Sequence, residues 1–299
     1  MAVVQSQSIL FELLRSFTTL ARTLNLSHAV RELNSTRQTV RRHIALLEQM
    51  RGAELFALKD RHYELTEAGQ HALPEAEELL ARGMAWAGGH SKHVRGLLHV
   101  DFSDGALNEY HLQQHPLSQV WRQGSPLMRM ALQCWAAAGA DIASEAFEPL
   151  RPYMLVYRPM GPSWLCCEIG EKSAFATWFG WAKARSSIGA VLDNLPGGNP
   201  MAVLMNEPFS DVASTHGARL DHVHTRLPHD DHDAPLPVSY QRLLMGCTFP
   251  DGTFAMAAVI ERTHDISILG LSDDKIRAMP EEFVMNMGAE ADRLRFFVA

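Results

Sequence analysis

The sequence lacks the local signatures of the common catalytic and nucleotide-binding sites. It contains no Gly-x-Ser-x-Gly elbow, no phosphate-binding P-loop and no His-Glu-x-x-His zinc motif. It also lacks an uncharged apolar run of the ~18 residues that a membrane-spanning helix requires. Its first residues do not read as a secretory signal, because Gln and Glu interrupt the apolar positions. These absences argue against a membrane protein and favour a cytoplasmic location.

Cysteine is scarce as well. The four cysteines among 299 residues form no Cys-x-x-Cys pair, so the pattern indicates neither a disulfide framework nor a cysteine-based zinc site. We expect buried, reduced thiols, with redox sensing by the adjacent Cys166 and Cys167 as the alternative. No pattern in the chain predicts a cofactor.

Basic residues are in the minority, but they are unevenly distributed. The chain carries 27 Lys and Arg against 34 Asp and Glu, for a net charge of -7. Residues 1–66 have a net charge of +3, which leaves -10 for the remainder. A basic head on an acidic body is typical of a protein that contacts phosphate with one end only.

The basic head has the hydrophobic pattern of three helices. Residues 8–23 carry apolar side chains at three- and four-residue spacing, which predicts an amphipathic helix. Asn25 is expected to cap a second, short helix, and Ser35 or Thr36 a third that runs to about Met50. Two short helices joined by a tight turn form a helix-turn-helix, whose second helix enters the DNA major groove.

The first two turns of this third predicted helix are strongly polar. Arg pairs with guanine and Gln with adenine in the major groove, while Thr contacts a phosphate or a thymine methyl. A solvated basic helix face would show the same pattern and is the alternative. The predicted DNA-contacting residues of the helix are Thr36, Arg37, Gln38, Thr39, Arg41 and Arg42.

A wing and a long helix are predicted to follow. Two short apolar segments flank a basic turn containing Arg61, which could reach the flanking DNA backbone or minor groove. A further helix begins at Thr66 and contains Pro74. The predicted domains are a winged helix-turn-helix over residues 1–66, a linker and dimerisation helix over 67–90, and a sensor or effector domain over 91–299.

Residues 8–73 resemble, without a gap, the DNA-binding domain of LysR-type transcriptional regulators. Ala29, Val30 and Leu33 match the family's Ala-Ala-x-x-Leu, and Thr36 falls at the Ser that opens its recognition helix. The resemblance implies DNA binding by the residues named above, a homodimer formed through the linker helix, often a tetramer, and a C-terminal sensor of a small effector. The remaining matches are Phe17, Val40, Ile44, Leu47, Glu48, Gly52, Leu55, Phe56, Arg61, Leu65, Thr66, Ala68 and Gly69.

The chain departs from the family pattern at a few positions. Leu24 and Asn25 stand where Gly-Ser is usual, Gln38 where Pro is usual, and Arg41 where Ser is usual. Leu58 occupies the place of an Arg in the wing. These departures bear on which operator is bound and leave the predicted fold unchanged.

The C-terminal two thirds predict a mixed α+β domain. Residues 88–125 are rich in Gly, His, Ser and Asp and are predicted to be a linker with irregular structure. A helix is predicted over 125–147, a strand over Met201–Met205, and a hairpin of strands near the end. The element order resembles a PAS-like sensor, with the two-lobed periplasmic-binding-like domain of the family as the alternative.

Two sets of residues are candidates for chemistry in this domain. Arginine recognises carboxylates and aromatic side chains wall ligand pockets, although core packing and structural ion pairs are the alternatives. His222 and His224 share one face of a predicted strand and with a later His would bind zinc. A metal-dependent enzyme with an accessory DNA-binding module is therefore the alternative to a non-enzymatic regulator. The candidate ligand-binding residues are Arg158, Trp164, Trp178 and Arg242.

Overall fold

A computed structural model of the chain describes residues 9–59, 62–104, 108–161, 163–195 and 202–285. The chain divides into two compact units, Met1–Ala87 and Gly88–Ala299. Helices and strands are mixed, in agreement with the predicted α+β class. Within the ranges just given, no helix combines the length and the apolar content needed to cross a bilayer.

The described residues of the first unit form four helices and one hairpin. The hairpin strands pair antiparallel, with Phe56 opposite Leu65 and Lys59 opposite His62. This is the three-helix and wing pattern that the sequence predicts, and Pro74 lies inside the last helix. The elements are α1 Leu10–Thr23, α2 Leu26–Glu32, α3 Arg37–Arg51, β1 Phe56–Lys59, β2 His62–Leu65 and α4 Glu67–Ala87.

The apolar stripes of α1 and α3 converge on one core. Leu13 and Phe17 of α1 and Val40 of α3 are completely buried. The Phe17 ring meets Phe56 of β1 edge-on, with ring centroids 5.6 Å apart. Burial of a large apolar side chain contributes about 1.5–3 kcal/mol, so this cluster fixes the orientation of α3 within the unit.

The second unit is built on one eight-stranded sheet. The strand order is β3-β4-β5-β8-β9-β10-β6-β7, and all the strand pairings are antiparallel. Its strands are β3 Ser91–Val94, β4 Leu97–Asp104, β5 Asn108–His115, β6 Met154–Met160, β7 Ser163–Ile169, β8 Ala218–His229, β9 His232–Thr248 and β10 Phe254–Arg262.

Helices cover both faces of this sheet. On one face, which we call the α6 face, Leu127 and Met128 pack against Leu243 and Val259. On the opposite face, the α9 face, Phe209 and its neighbours cover another apolar cluster. Strand residues two apart share a face, so alternate residues of β8 and β9 enter different layers. The helices are α5 Ser118–Gln123, α6 Pro126–Ala137, α7 Ala174–Phe179, α8 Trp181–Ser187, α9 Ala202–Thr215 and α10 Asp273–Ile276.

Three predictions for the second unit are wrong. The described residues of the range 88–125 form β3, β4, β5 and α5 instead of irregular structure. The described part of the strand predicted over Met201–Met205, residues 202–205, belongs instead to helix α9. The helix predicted over 125–147 ends at Ala137, and Gly139 and Ala140 that follow have positive φ angles of 57° and 62°.

Candidate functional site

Helix α3 begins with a complete N-terminal cap. Thr36 has extended backbone angles, and its Oγ1 accepts a hydrogen bond from the Thr39 N–H at 3.1 Å. The Thr36 and Thr39 hydroxyls also lie 2.9 Å apart. A helix N-terminus presents free N–H groups and the positive end of the helix dipole, and both attract phosphate.

The predicted DNA-contacting residues of α3 are gathered at this exposed end. Thr36, Arg37, Gln38, Arg41 and Arg42 are exposed, whereas Thr39 is half-buried. The opposite side of the helix, including Val40, Ile44 and Leu47, is buried in the core. Arg37 is partly engaged, since its Nη2 donates to Ser27 Oγ at 2.8 Å. The row therefore presents three guanidinium groups and one amide outward on a fixed helix.

The connections around α2 are tight. Asn25 Oδ1 accepts hydrogen bonds from the N–H groups of Ser27 and His28, so it caps α2 as predicted. Leu24 before it and Asn34 after α2 have left-handed φ angles of 47° and 48°. Such residues reverse the chain within one or two positions, which brings α2 and α3 together.

His43 of α3 is a structural residue that the sequence analysis did not single out. It is buried, and its Nδ1 lies 2.7 Å from the Ser16 hydroxyl of α1. Burial lowers the pKa of His43, and the nearby Arg42 lowers it further. A neutral His43 therefore ties α3 to α1. Its position between Val40 and Ile44, on the inner stripe, is the signal that would have found it.

The hairpin β1–β2 projects charged side chains at its end. Lys59 Nζ lies 2.8 Å from Glu64 Oε2, and both side chains are exposed. The predicted wing residue Arg61 lies outside the described residues. Leu58, at the family's Arg position, is 63% exposed and adds an apolar group to the wing surface.

The four candidate ligand residues of the second unit do not converge. Trp164 packs on Phe209 with ring centroids 5.4 Å apart, and Trp178 belongs to a different cluster, where its Nε1 donates to Pro228 O. Arg158 pairs at the surface with Asp251, at 3.0 Å. The two tryptophans are therefore packed in the core and Arg158 forms an ion pair, which are the alternative roles given for these residues.

Arg242 belongs to a buried charged triad on the α9 face. Its Nη2 donates to Asp221 Oδ2 at 2.9 Å, and Arg219 Nε donates to Asp221 Oδ1 at 2.8 Å. Asp221 is completely buried, and both arginine side chains are 4% exposed. Burial opposes the charge of Arg242, but the Asp221 carboxylate outweighs it and raises the pKa of Arg242.

His222 and His224 lie on the α6 face of β8, as the two-residue spacing predicts, but have separate partners. His222 Nδ1 accepts from the Ser267 N–H at 2.9 Å, and His224 Nδ1 lies 2.9 Å from Ser239 Oγ. Burial lowers the pKa of His222 to about 3 and that of His224 to about 4. Among the described residues, no three His, Cys, Asp or Glu side chains are placed to hold a metal ion.

Glu109 of β5 is the centre of a charged network near His224. Burial alone would raise its pKa, but Lys275 at 2.9 Å and the charges of His224 and Arg226 lower it to about 2. Lys275 belongs to α10, so the network joins the segment after β10 to the sheet. No spacing in the sequence indicates this pairing, because the two residues are 166 positions apart.

The adjacent cysteines of β7 are not activated thiols. Cys166 is buried, and burial raises its pKa to about 12. Cys167 is half-buried, and burial raises its pKa as well. Since the thiolate is the reactive form and a raised pKa disfavours it, the two cysteines fit the expected reduced thiols. They do not support redox sensing.

Comparisons with known proteins find similarity over part of the chain. Residues 11–70 match the family described as bacterial regulatory helix-turn-helix protein, LysR family. The HTH-type transcriptional regulators HdfR of Yersinia enterocolitica and Yersinia pestis are each 34% identical over 95 residues, which is 32% of this chain. The matched segment spans 31% of the length of these relatives.

Two solved structures are also similar in part. The CbnR DNA-binding domain in complex with DNA is 29% identical and covers 26% of this chain and 88% of its own, with a TM-score of 0.24. A Corynebacterium glutamicum OxyR mutant covers 96% of this chain and 93% of its own at 12% identity, with a TM-score of 0.26.

The family match coincides with the part of the structure described first. It extends from Phe11 in α1 to Gln70 in α4 and contains the whole of the capped, arginine-bearing helix α3. The residues on which the resemblance to LysR-type regulators was based, from Phe17 to Gly69, lie in the same segment. Residues 11–70 of this chain are a helix-turn-helix domain of the bacterial LysR family.

Proposed function

We propose that the chain is a sequence-specific DNA-binding transcription regulator of the LysR type. The observation that carries the proposal is the exposed row Arg37, Gln38, Arg41 and Arg42 at the capped N-terminus of α3. Such a row places guanidinium and amide groups where they meet base edges in a major groove. DNA binding also favours the cytoplasmic location inferred from the sequence.

The proposed contacts on DNA are Thr36, Arg37, Gln38, Thr39, Arg41 and Arg42, with Arg61 as wing support. We assign base readout to Arg41, because it is exposed one turn into α3 and no described residue forms a hydrogen bond or ion pair with its side chain. Thr36 and the first N–H groups of α3 are suited to a phosphate. This division separates residues that specify sequence from residues that add affinity.

A matched pair of variants tests the proposal. We expect Arg41→Ala to weaken operator binding by about 1–3 kcal/mol and to relax the preference at one base pair. The measurement is selection of bound fragments from genomic DNA by the purified full-length protein, followed by titration of the enriched site at several salt concentrations. Arg51→Ala removes the same charge from the other end of α3 and should keep the base preference. Equal base preferences in the wild type and Arg41→Ala would refute the assignment.

We further propose that residues 91–299 act as a ligand sensor of PAS-like arrangement. Five neighbouring strands of the sheet lie side by side in the order β7-β6-β10-β9-β8. If these five strands are numbered one to five along the chain, the spatial order is 2-1-5-4-3. Helices connect the second of them, β7, to the third, β8. A two-lobed domain would be built on two parallel sheets, whereas one antiparallel sheet supports the PAS-like alternative. The proposed domains are therefore a winged helix-turn-helix over 1–66, a dimerising linker helix over 67–90 and this sensor.

A binding rather than a catalytic role is proposed for the sensor. His222 and His224, the residues of the metal-enzyme alternative, are each committed to their own backbone or hydroxyl partner. The small effector is expected to change operator affinity, which titration of the enriched DNA site with and without cell metabolites would measure. If no metabolite fraction changed the operator affinity, the sensor proposal would be refuted, whereas the DNA-binding proposal would be unaffected.

A further inference from the structure

A polar cleft of about 290 Å³ opens on the α6 face of the sheet. It lies on the opposite side from the Arg242 triad, so it is separate from the candidate ligand residues considered above. Its floor is formed by Leu220 and His222 of β8 and Gln241 of β9, and its walls by α5 and the segment after β10. The wall residues are Gln119, Gln123, Gly124, Asp265, Ile266 and Ser267.

Two floor residues, His222 and Gln241, each have one side-chain hydrogen-bonding atom available to an occupant of the cleft. His222 is 3% exposed, and its Nδ1 accepts from the Ser267 N–H, so in the neutral ring Nε2 carries the proton and donates. Gln241 is 4% exposed, and its Nε2 donates to Asp265 O at 2.6 Å, which leaves Oε1 as an acceptor. No described residue is bonded to His222 Nε2 or to Gln241 Oε1.

The donor and the acceptor are neighbours. His222 and Gln241 are directly opposed residues of β8 and β9, and side chains in such pairs are about 5 Å apart at Cβ. The ring of His115 lies 4.0 Å from that of His222, and His115 Nε2 lies 2.8 Å from Ser267 O, so the imidazole is held in place. An occupant that supplies an acceptor and a donor at this spacing can pair with both atoms at once.

The charge of the cleft restricts its occupant. Asp265 is the one charged side chain among the lining residues given above. Behind the wall, Arg129 Nε and Nη2 both donate to the Gly124 carbonyl, so its guanidinium is already engaged. A carboxylate or phosphate would meet Asp265 without a free lining cation, which disfavours anions.

We propose that this cleft binds a small uncharged molecule through an amide-type edge, an N–H beside a C=O. The carbonyl accepts from His222 Nε2, and the neighbouring N–H donates to Gln241 Oε1. Cyclic amides and pyrimidinone rings carry this edge and are of a size that 290 Å³ accommodates. Leu220 contacts the apolar side of the ring.

Titration of the full-length protein with four probes tests the proposal. Uracil and 2-pyrrolidinone carry the edge, 1,3-dimethyluracil lacks the N–H, and orotate adds a carboxylate to the uracil ring. We expect saturable NMR shifts of the His222 ring and the Ser267 amide with an edge-bearing probe. The two altered probes should bind at least about tenfold more weakly than uracil. Failure of both edge-bearing probes to bind, or equal binding of 1,3-dimethyluracil and uracil, would overturn the proposal.

Matched variants locate the binding on the protein. His222→Phe keeps the ring and removes the donor, and Gln241→Met keeps the shape and removes the acceptor. Each should weaken binding of the edge-bearing probe about tenfold or more, whereas His224→Phe, on the same strand face but outside the cleft, should not. Circular dichroism confirms folding, and the comparison among probes on the wild type needs no variant. Unchanged binding in folded His222→Phe would refute the site. Because no DNA is present, this result is independent of operator binding.

Discussion

Leu24 occupies a backbone conformation that glycine adopts more easily. Its φ of 47° is left-handed, and its side chain is 42% exposed, so little packing offsets the strain. The family pattern has Gly here, and the left-handed φ angle is the structural reason for it. The consequence is a connection between α1 and α2 that is stiffer and less stable than one containing glycine.

Leu24→Gly is expected to stabilise the first unit by about 0.5–1 kcal/mol, because relief of the left-handed conformation exceeds the extra entropy of an unfolded glycine. Urea denaturation followed by circular dichroism measures the change. Ala45→Gly, in the middle of α3, serves as the control and should destabilise the protein. A loss of stability in Leu24→Gly would show that the leucine packing dominates.

Glu261 is a buried acid beside the cleft that the proposed binding does not use. Burial raises its pKa to about 7, and the Asp265 carboxylate raises it as well, while a hydrogen bond from Ser125 Oγ opposes this. The folded protein therefore holds a proton that the unfolded chain releases near pH 4.5. Stability from this group is complete at low pH and falls as the pH rises from about 4.5 to about 7.

Glu261→Gln removes this pH dependence. At about pH 8 the variant should exceed the wild type in stability by about 2–3 kcal/mol, and near pH 4.5 the difference should vanish. Thermal midpoints of both proteins between about pH 4.5 and pH 8 provide the measurement. A difference that does not change with pH would mean that Glu261 titrates alike in the folded and unfolded chains.

At the scale of elements, α2 depends on its cap. It has seven residues, too few for an independently stable helix, and Asn25 Oδ1 satisfies two of its free N–H groups. Asn25→Ala is expected to destabilise the first unit by about 1 kcal/mol. Urea denaturation is the measurement, and Asn25→Asp, which retains the acceptor, should stay near the wild type. No difference between the two variants would show that the cap contributes nothing.

The elements of the first unit could be predicted because their signals are local. Caps such as Asn25 and Thr36, and apolar stripes such as Leu13, Phe17 and Val40, act within one helix or between neighbours in sequence. The exposed arginine row could be predicted for the same reason. The Ser16–His43 bond joins residues 27 positions apart and was not anticipated.

The strands of residues 88–125 were missed because several of their polar residues, including His99, His111 and Gln113, are buried. His99 pairs with Gln113 at 2.9 Å, and His111 with Asp101 at 2.8 Å, so positions that read as a hydrophilic loop face partners inside the unit. Met201–Met205 was misassigned because a short apolar run suits a strand or a helix equally. The cleft could not be predicted, since its floor and walls come from segments distant in sequence.

At the scale of the whole molecule, α4 carries apolar side chains that its own unit leaves exposed. Leu79 is 55% exposed and Trp86 74% exposed, and a seven-residue spacing places both on one side of the helix. Isolated exposed apolar residues are common, but a Leu and a Trp on one helical stripe fit the proposed contact with a second copy of the chain.

The double variant Leu79→Ser with Trp86→Ser should raise the dissociation constant of the dimer at least about tenfold, because a few large side chains, above all aromatic ones, dominate such contacts. Sedimentation equilibrium on the full chain measures the constant. Gln70→Ser, an exposed change on the same helix, controls for loss of helicity. A dissociation constant unchanged by the double variant would move the proposed interface away from α4.

The Arg219–Asp221–Arg242 triad has a consequence for how the longest hairpin assembles. Asp221 of β8 stands directly opposite Arg242 of β9, in strands of 12 and 17 residues that pair over most of their length. Sliding one strand by two positions would keep every side chain in its layer but would set Asp221 against Tyr240 or Leu244. Arg219, on the same strand as Asp221, would stay beside the carboxylate, but Arg242 would be left buried without it. Breaking a buried ion pair in this way costs about 3–5 kcal/mol. The ion triad therefore fixes the register of β8 against β9, where the hydrophobic pattern alone would allow several registers.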